Sequence, residues 1–333
     1  MKNRKLGTQG LVVSPLGLGC MGMSPGVYGP ADEAEGIATI RAALDAGITF
    51  LDTGDFYGMG HNEMLLRRAL EGVQRDRVVI SVKFGGLRDP AGAFLGADGR
   101  PQAVKNFLAY SLRRLGTDYI DIYRLTRVDP AVPIEDTIGA IADMIRAGYV
   151  RHAGLSEAGA ETIRRANDVH PIADLQIEYS LMSRGIEKNI LPTTRELGIG
   201  ITAYGVLSRG LLSGRLPPAG NKGDIRITRM PRFQQGNVER NLRLVEALRQ
   251  IGNEKGATPA QLALAWVRSR GDDILPVMGA RRREQLKESL DALDLKLSPD
   301  ELARIDAAVS PDLIAGTRYD APQMAHLDSE AHA

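Results

Sequence analysis

Eight short apolar runs, each followed by a turn and an amphipathic stretch, constrain this chain more than any other feature. The runs are Pro15–Gly19, Ile48–Thr53, Val78–Lys83, Tyr119–Leu125, Val150–Ser156, Ala173–Tyr179, Gly198–Tyr204 and Ile274–Gly279. Between them the helical signals are strong. Val104, Phe107, Leu108, Leu112 and Leu115 fall at helical spacing with Gly116 as a stop, and Ile134, Ile138, Ile141 and Ile145 do the same ahead of Gly148. Thr258–Gln261 and Ser298–Glu301 read as capping boxes with proline at the first helical position. Continuous apolar strands that alternate with helices mean a parallel sheet covered on both faces. Eight such units predict a (β/α)8 TIM barrel, with a doubly wound open sheet as the alternative. Leu11–Ser14 adds half of an N-terminal hairpin cap. Two segments, Gly85–Pro101 and Gly205–Asn237, are long enough to stand as loops on the C-terminal rim, where barrel enzymes keep their chemistry. The second carries Lys222, Arg226, Arg229 and Arg232 and reads as a flap over cofactor or substrate. We expect one domain over residues 1–310 and a partly mobile surface tail over 311–333.

Composition narrows the partners. Lys and Arg number 42 against 41 Asp and Glu, a net charge of +1, which argues against recruitment to nucleic acid or a membrane surface by bulk charge. The one cysteine, Cys20, allows no intrachain disulfide and fits a reducing compartment. The start shows no apolar signal region, and no stretch nears the ~20 apolar residues of a membrane span. A cytoplasmic enzyme-sized domain is the expectation.

The stretch Ile48–Gly58, ITFLDTGDFYG, concentrates the chemistry. Strand alternation puts Phe50 and Asp52 on one face, and a carboxylate at the end of an apolar strand needs a cationic partner. Tyr57 follows in the turn. By contrast, Gly17–Gly22 matches G-x-G-x-x-G, but Met23-Ser24-Pro25-Gly26 cannot open the helix that a dinucleotide fingerprint needs. It reads better as a glycine turn leaving the first strand close to a ligand at the rim.

Over nearly its whole length the chain resembles the aldo-keto reductases, and more closely the bacterial and plant branch with a potassium-channel β-subunit-like cofactor site. The matching segments are Leu51–Gly58 with Asn62-Glu63, Ser81–Gly85, Ser111–Asp121, Arg127–Pro130, Gly154–Glu157, Gln176–Ser180, Tyr204–Gly210 and Gly279–Arg281. The resemblance implies a catalytic Asp, Tyr and Lys at Asp52, Tyr57 and Lys83, with Tyr57 protonating a carbonyl oxygen as hydride arrives at its carbon. A phenol near pKa 10 is a poor acid at neutral pH; a nearby ammonium would lower it, and a carboxylate would keep that ammonium charged. The family's fourth member is a histidine, and its position here holds Thr126. Threonine donates one hydrogen bond but carries no charge. Family members without this histidine include reducers of carbon–carbon double bonds and channel β-subunits of weak turnover, so C=C reduction and an NADP(H)-binding sensor or regulatory role stand as alternatives to carbonyl reduction.

The resemblance further implies that Ser156 and Gln176 hold a nicotinamide carboxamide and that Tyr204 stacks on its ring. Leu207, Ser208, Gly210 and Leu212 would line the pyrophosphate through backbone N–H groups, Gly279 and Arg281 would reach phosphate, and Gln285 would lie near adenine, where the family usually adds an Asn at the position of Ser289. Arg281-Arg282-Arg283 opens a helix, and cations there oppose the helix dipole unless an anion compensates. The 2′-phosphate of NADP would be such an anion, which favours NADPH over NADH; a solvated charge run is the other reading. Met21, Tyr28, Phe56, Phe84 and Arg124 are candidate substrate contacts for a small-molecule carbonyl compound. Alternation also predicts that Arg124 faces the barrel interior below Thr126, sharing Asp52 with Lys83 and helping to depress the Tyr57 pKa, or else pairing with another carboxylate.

Overall fold

The computed structural model describes residues 1–217 and 223–331. Lys222 of the second long segment therefore lies outside the described residues. The strands in chain order are β1 (Arg4–Leu6), β2 (Leu11–Val13), β3 (Gly17–Gly19), β4 (Phe50–Gly54), β5 (Val79–Phe84), β6 (Gly86–Arg88), β7 (Phe94–Ala97), β8 (Ile120–Leu125), β9 (Val150–Ser156), β10 (Ile172–Glu178), β11 (Gly200–Tyr204) and β12 (Ile274–Gly279). The strands β3, β4, β5, β8, β9, β10, β11 and β12 pair in parallel in that order and close on themselves, a (β/α)8 TIM barrel rather than an open sheet. Each expected apolar run supplies one barrel strand.

The helices follow the sequence signals. Pro101–Leu115 stops at Gly116, which takes φ +66°, and both capping boxes form at the starts of Pro259–Ser269 and Pro299–Ala308. At Gly22 no α-helix begins: a single 3-10 turn spans Met21–Met23, and the first helix starts at Glu33. The glycine run is thus a turn leaving β3, anchored where Cys20 N–H donates to the Asp52 carbonyl and the Asn62 amide donates to the Cys20 carbonyl.

Two apolar layers result from the strand period of two. Inward-facing Phe50, Ile122, Leu275 and Val277 pack with Leu6, Leu11 and Val13, so the β1–β2 hairpin plugs the barrel's N-terminal end. Outward-facing Leu51, Val82, Phe84 and Tyr123 belong to the larger core between strands and helices. Phe84 stacks on Tyr123 at 4.1 Å and has no exposed surface. The parity that turns Lys83 inward turns Phe84 outward, which removes it from the substrate candidates.

The described residues of the long segments and of the tail form local structure. Gly85–Pro101 contains the β6–β7 antiparallel hairpin. Within Gly205–Asn237, Arg232 is buried and donates to the Met182 carbonyl, to Ser183 Oγ at 3.0 Å and to Ser208 Oγ at 3.2 Å, while Ile225 N–H donates to the Val27 carbonyl. The tail forms turns at Pro311–Leu313, Ala321–Met324 and Asp328–Glu330 and crosses the barrel mouth, burying Arg318 and Tyr319. Through these two side chains its described residues pack onto the rim. Among the described residues no helix is long and apolar enough to cross a membrane.

Candidate active site

At the C-terminal end of the barrel the strands deliver a chain of polar side chains. Lys83 Nζ donates to Asp52 Oδ2 at 2.6 Å, and Asp52 Oδ1 accepts from Ser81 Oγ at 2.9 Å and Gln176 Nε2 at 2.8 Å. Asp52 is only 4% exposed, so three donors replace the water it lost. Burial pulls the Lys83 pKa down, and the Asp52 carboxylate opposes that fall. Tyr57 stands beside the pair, with Lys83 Nζ 5.1 Å from its ring centroid. The expectation of a depressed phenol is not met. Burial first and the Asp52 carboxylate second push the Tyr57 pKa well above 10, and Arg127 pulls the other way. The rise keeps the proton on the hydroxyl but makes it a weaker acid, so acid catalysis there depends on cations that stabilise the phenolate as it forms.

Arg124 is fully buried beneath this layer. Its direct carboxylate partner is Asp174, at 2.9 Å, not Asp52. Its Nη2 also donates to Ser81 Oγ at 2.9 Å, so one hydroxyl stands between Arg124 and Asp52. Asp174, inward-facing on the barrel side opposite the Asp52 strand, is the carboxylate that the sequence reading left unnamed. A guanidinium with no exposed surface cannot touch substrate, which corrects that assignment. Thr126 follows β8 at the mouth, 3% exposed, with its N–H donating to the Phe84 carbonyl at 2.9 Å. His61 is held structurally, between Ser24 Oγ at 2.9 Å and Glu33 at 3.3 Å.

The expected cofactor residues form a broken ring around the mouth. Ser156 and Gln176 pair in register at the ends of β9 and β10. The Ser156 hydroxyl is buried without a hydrogen-bond partner among the described residues, an orphan that suits an incoming amide. Gln176 is partly committed, since its amide N–H already serves Asp52. The N–H groups of Ser208, Gly210 and Leu212 donate to the carbonyls of Gly205, Leu207 and Leu207, so the turn spends them internally; Leu212 has no exposed surface at all. Those two findings correct the expectation of a row of free backbone donors. A Cβ at Gly279 would meet nothing within 4 Å, so the end of β12 faces open space.

The triple arginine is also less free than its sequence implies. Arg281 Nη1 donates to the Tyr28 carbonyl at 3.0 Å and Nη2 to the Pro30 carbonyl, and Arg283 pairs with Glu35 at 3.0 Å. Glu35 thus supplies part of the anion that the helix start requires. Gln285 Oε1 accepts from the Arg281 N–H at 2.8 Å, and Ser289 Oγ donates to the Gln285 carbonyl. Arg282 is exposed. Of the remaining substrate candidates, Met21, Tyr28 and Phe56 are half-buried, with Phe56 edge-on to Tyr57 at 4.8 Å and Arg226 over the Tyr28 ring at 4.9 Å.

Sequence reasoning missed a second buried cluster at the rim. Glu157 has no exposed surface and a φ of +52°, a costly conformation for a side-chain-bearing residue. Its carboxylate accepts from Arg318 at 2.6 Å, from Ser329 Oγ at 2.8 Å and from the Tyr204 hydroxyl at 2.6 Å. Tyr319 Oη lies 2.9 Å from Tyr204 Oη. Arg318 is the chief cause that draws the Glu157 pKa to about 2, against the upward pull of burial. Glu157 sits beside Ser156 in a quoted motif, yet nothing local in the sequence points to partners in the tail.

Comparisons with known proteins agree with the geometry. The model of the Aldo/keto reductase family matches residues 15–310. A protein of Glycine max described as "Probable aldo-keto reductase 1" is 42% identical over 315 residues, which cover 95% of this chain and 91% of that protein. The glycerol dehydrogenase of Gluconobacter oxydans superposes with a TM-score of 0.82 at 29% identity, covering 93% of this chain and 96% of that one. An aldo-keto reductase of Bacillus halodurans in its holo form superposes with a TM-score of 0.77 at 29% identity, covering 93% and 97%. The closed barrel, the Asp52–Lys83 pair under Tyr57 and these likenesses lead to one conclusion: the chain belongs to the aldo/keto reductase family and is an oxidoreductase.

Proposed function

We propose that the protein reduces an aldehyde or ketone to an alcohol with NADPH, and that Tyr57 is the general acid. The observation that carries this reading is the buried Lys83–Asp52 ion pair at 2.6 Å, with Lys83 Nζ 5.1 Å from the Tyr57 ring centroid. The nicotinamide, when bound, supplies the hydride. Its site would be formed by the orphan Ser156 hydroxyl, by Gln176 and by the Tyr204 ring. The open end of β12 and the Arg209 side chain of the Leu207–Leu212 turn, unpartnered among the described residues, would lie toward the phosphates. Arg281 and the exposed Arg282 support NADP over NAD, since both stand at a helix start and neither is matched by an ion-pair partner among the described residues.

The chain's own residues do the rest. Tyr57 Oη gives its proton to the carbonyl oxygen as charge builds there. The phenolate so formed is stabilised by the Lys83 ammonium, and Asp52 keeps that ammonium in place against the cost of burial. Ser81 and Gln176 fix the carboxylate in turn. Half-buried Phe56 and Tyr28 offer apolar walls to substrate.

A second reading follows from Thr126, which places no ionisable group where the family has histidine: an NADP(H)-binding regulatory protein of weak turnover. Following NADPH absorbance over a panel of aldehydes and ketones separates the two. Steady oxidation supports reductase activity; tight NADPH binding with no oxidation across the panel would reverse the conclusion.

A further inference from the structure

Several buried or half-buried arginines of the upper barrel are neutralised by carboxylates. Arg318 pairs with Glu157, Arg232 with Glu178, Arg226 with Asp224 and Arg114 with Glu63. Arg127, the residue after Thr126, is different. Its Nη1 donates to the Thr126 carbonyl at 2.6 Å and its Nη2 to Tyr319 Oη at 3.3 Å, both neutral acceptors. No carboxylate of the described residues lies within ion-pair distance of it. Arg88, Arg209 and Arg281 share this property, but Arg88 donates to the Gly92 carbonyl and lies over the Phe56 ring, and Arg281 donates to the Tyr28 and Pro30 carbonyls away from Lys83. Arg209 and Arg127 both flank the Tyr319 ring, at 4.6 Å and 5.8 Å. Arg209, however, belongs to the turn proposed to line the cofactor phosphates, which would supply its anion. Arg127 rises from the end of β8, next to the strand that carries Lys83. Its positive charge bears on both Tyr57 and Lys83.

A cation withdrawn from water without a counter-charge is costly unless an anion arrives during function. Carbonyl reduction produces one: negative charge gathers on the substrate oxygen as hydride reaches its carbon, before the proton is fully transferred. We propose that Arg127 is a catalytic residue that donates a hydrogen bond to the substrate carbonyl oxygen, taking the place of the histidine that Thr126 replaces. Thr126 fixes it by offering its backbone carbonyl, and Tyr319 of the tail fixes the other nitrogen. An arginine suits the task because it remains charged at every working pH and donates in a planar fork. This inference rests on the carbonyl-reduction reading.

The test is steady-state kinetics on an aldehyde that the wild-type enzyme reduces, with NADPH binding followed by fluorescence. Arg127→Met should lower kcat by about 10²-fold, the usual loss of one oxyanion donor, with KM changed little and NADPH affinity kept. Arg127→Lys should retain part of the rate. Adding Thr126→His to Arg127→Met should restore activity, which a merely structural arginine would not allow. Wild-type kcat in Arg127→Met, or a loss confined to NADPH affinity, overturns the inference alone. If Arg127→Met does not fold, the Lys variant decides: a rate as low as that of a Tyr57→Phe control would count against a charge requirement, and a partial rate would support it. Wild-type enzyme that binds NADPH but reduces no carbonyl removes the parent reading, and this inference with it.

Discussion

The floor and the roof of the barrel mouth solve one problem with different materials. In each, a buried carboxylate is held by a cation and by two or more further donors. On the floor, Asp52 meets Lys83, Ser81 and Gln176, and Arg124–Asp174 lies below, every member on a barrel strand. On the roof, Glu157 at the end of β9 meets Arg318 and Ser329, which belong to the last stretch of chain. The floor therefore cannot loosen unless the barrel opens, whereas the roof can release its cation by lifting the tail alone. The difference separates a part that does chemistry from a part that covers it.

The largest expected effect tests the floor. Tyr57→Phe removes the proton donor and little volume, so turnover should fall by roughly 10³-fold, within the span of a general acid, while NADPH affinity stays near wild type. Stopped-flow or steady-state oxidation of NADPH measures it; retained turnover would mean that another group supplies the proton.

Next in size is the ion pair under the floor. Asp174→Ala leaves Arg124 buried and uncompensated in a site with no exposure, and should destabilise the whole barrel by roughly 3–5 kcal/mol. Denaturant unfolding would register it as one cooperative loss. A variant that unfolds near the wild-type midpoint would show that Ser81 and Thr202 suffice to hold Arg124.

How much of this was legible in the sequence follows the same division. The barrel was readable because strand parity and helix periodicity are local patterns, and the Asp52–Lys83 meeting follows from two neighbouring strands. The same parity could have excluded Phe84, which shares its strand with Lys83. Arg124 was correctly turned inward, but its partner was not found, because choosing between Asp52 and Asp174 needs the barrel's width and not its alternation. Glu157–Arg318 was out of reach: the two residues lie 161 positions apart, and an irregular tail carries no period from which a face can be read. The free N–H groups expected over Leu207–Leu212 failed for a related reason, since a turn's internal hydrogen bonds depend on dihedral angles that composition does not specify.

A third buried carboxylate sharpens the contrast because it lacks the cation that the other two have. Asp55, 7% exposed, accepts from the Gly85 N–H at 3.0 Å, and its Oδ1 has no partner. Burial pushes its pKa to about 7. The folded state then binds this proton more tightly than the unfolded one, so the contribution to stability is full below about pH 4 and is lost as pH rises through about 7. Asp55→Asn, which keeps an acceptor for Gly85 and adds no charge, should gain about 4 kcal/mol at pH 8 and almost nothing at pH 4. Melting temperatures at the two values check this. Glu63, also raised by burial, leaves some slope in the variant. Equal slopes in both proteins would mean that Asp55 is ionised and hydrated across the range.

The smallest effect belongs to the roof and is local. Arg318→Ala strips Glu157 of its main cation, but the carboxylate need not stay buried, because the tail can rise and admit water. The loss should therefore be below the 3–5 kcal/mol of a pair that has no such escape, about 1–3 kcal/mol. Hydrogen exchange should quicken over residues 317–331 while β4 and β5 keep their protection. Acid offers a second route to the same state. The Glu157 pKa is held down to about 2 from 4.5, so the bond's contribution is present above about pH 4.5 and fades as pH falls through about 2. Since Tyr204 Oη bonds both Glu157 and Tyr319, freeing the tail should also loosen the ring proposed to stack on nicotinamide and weaken NADPH binding several-fold. Exchange that quickens equally in the strands would show the roof to be no more separable than the floor, and the distinction between them would fall.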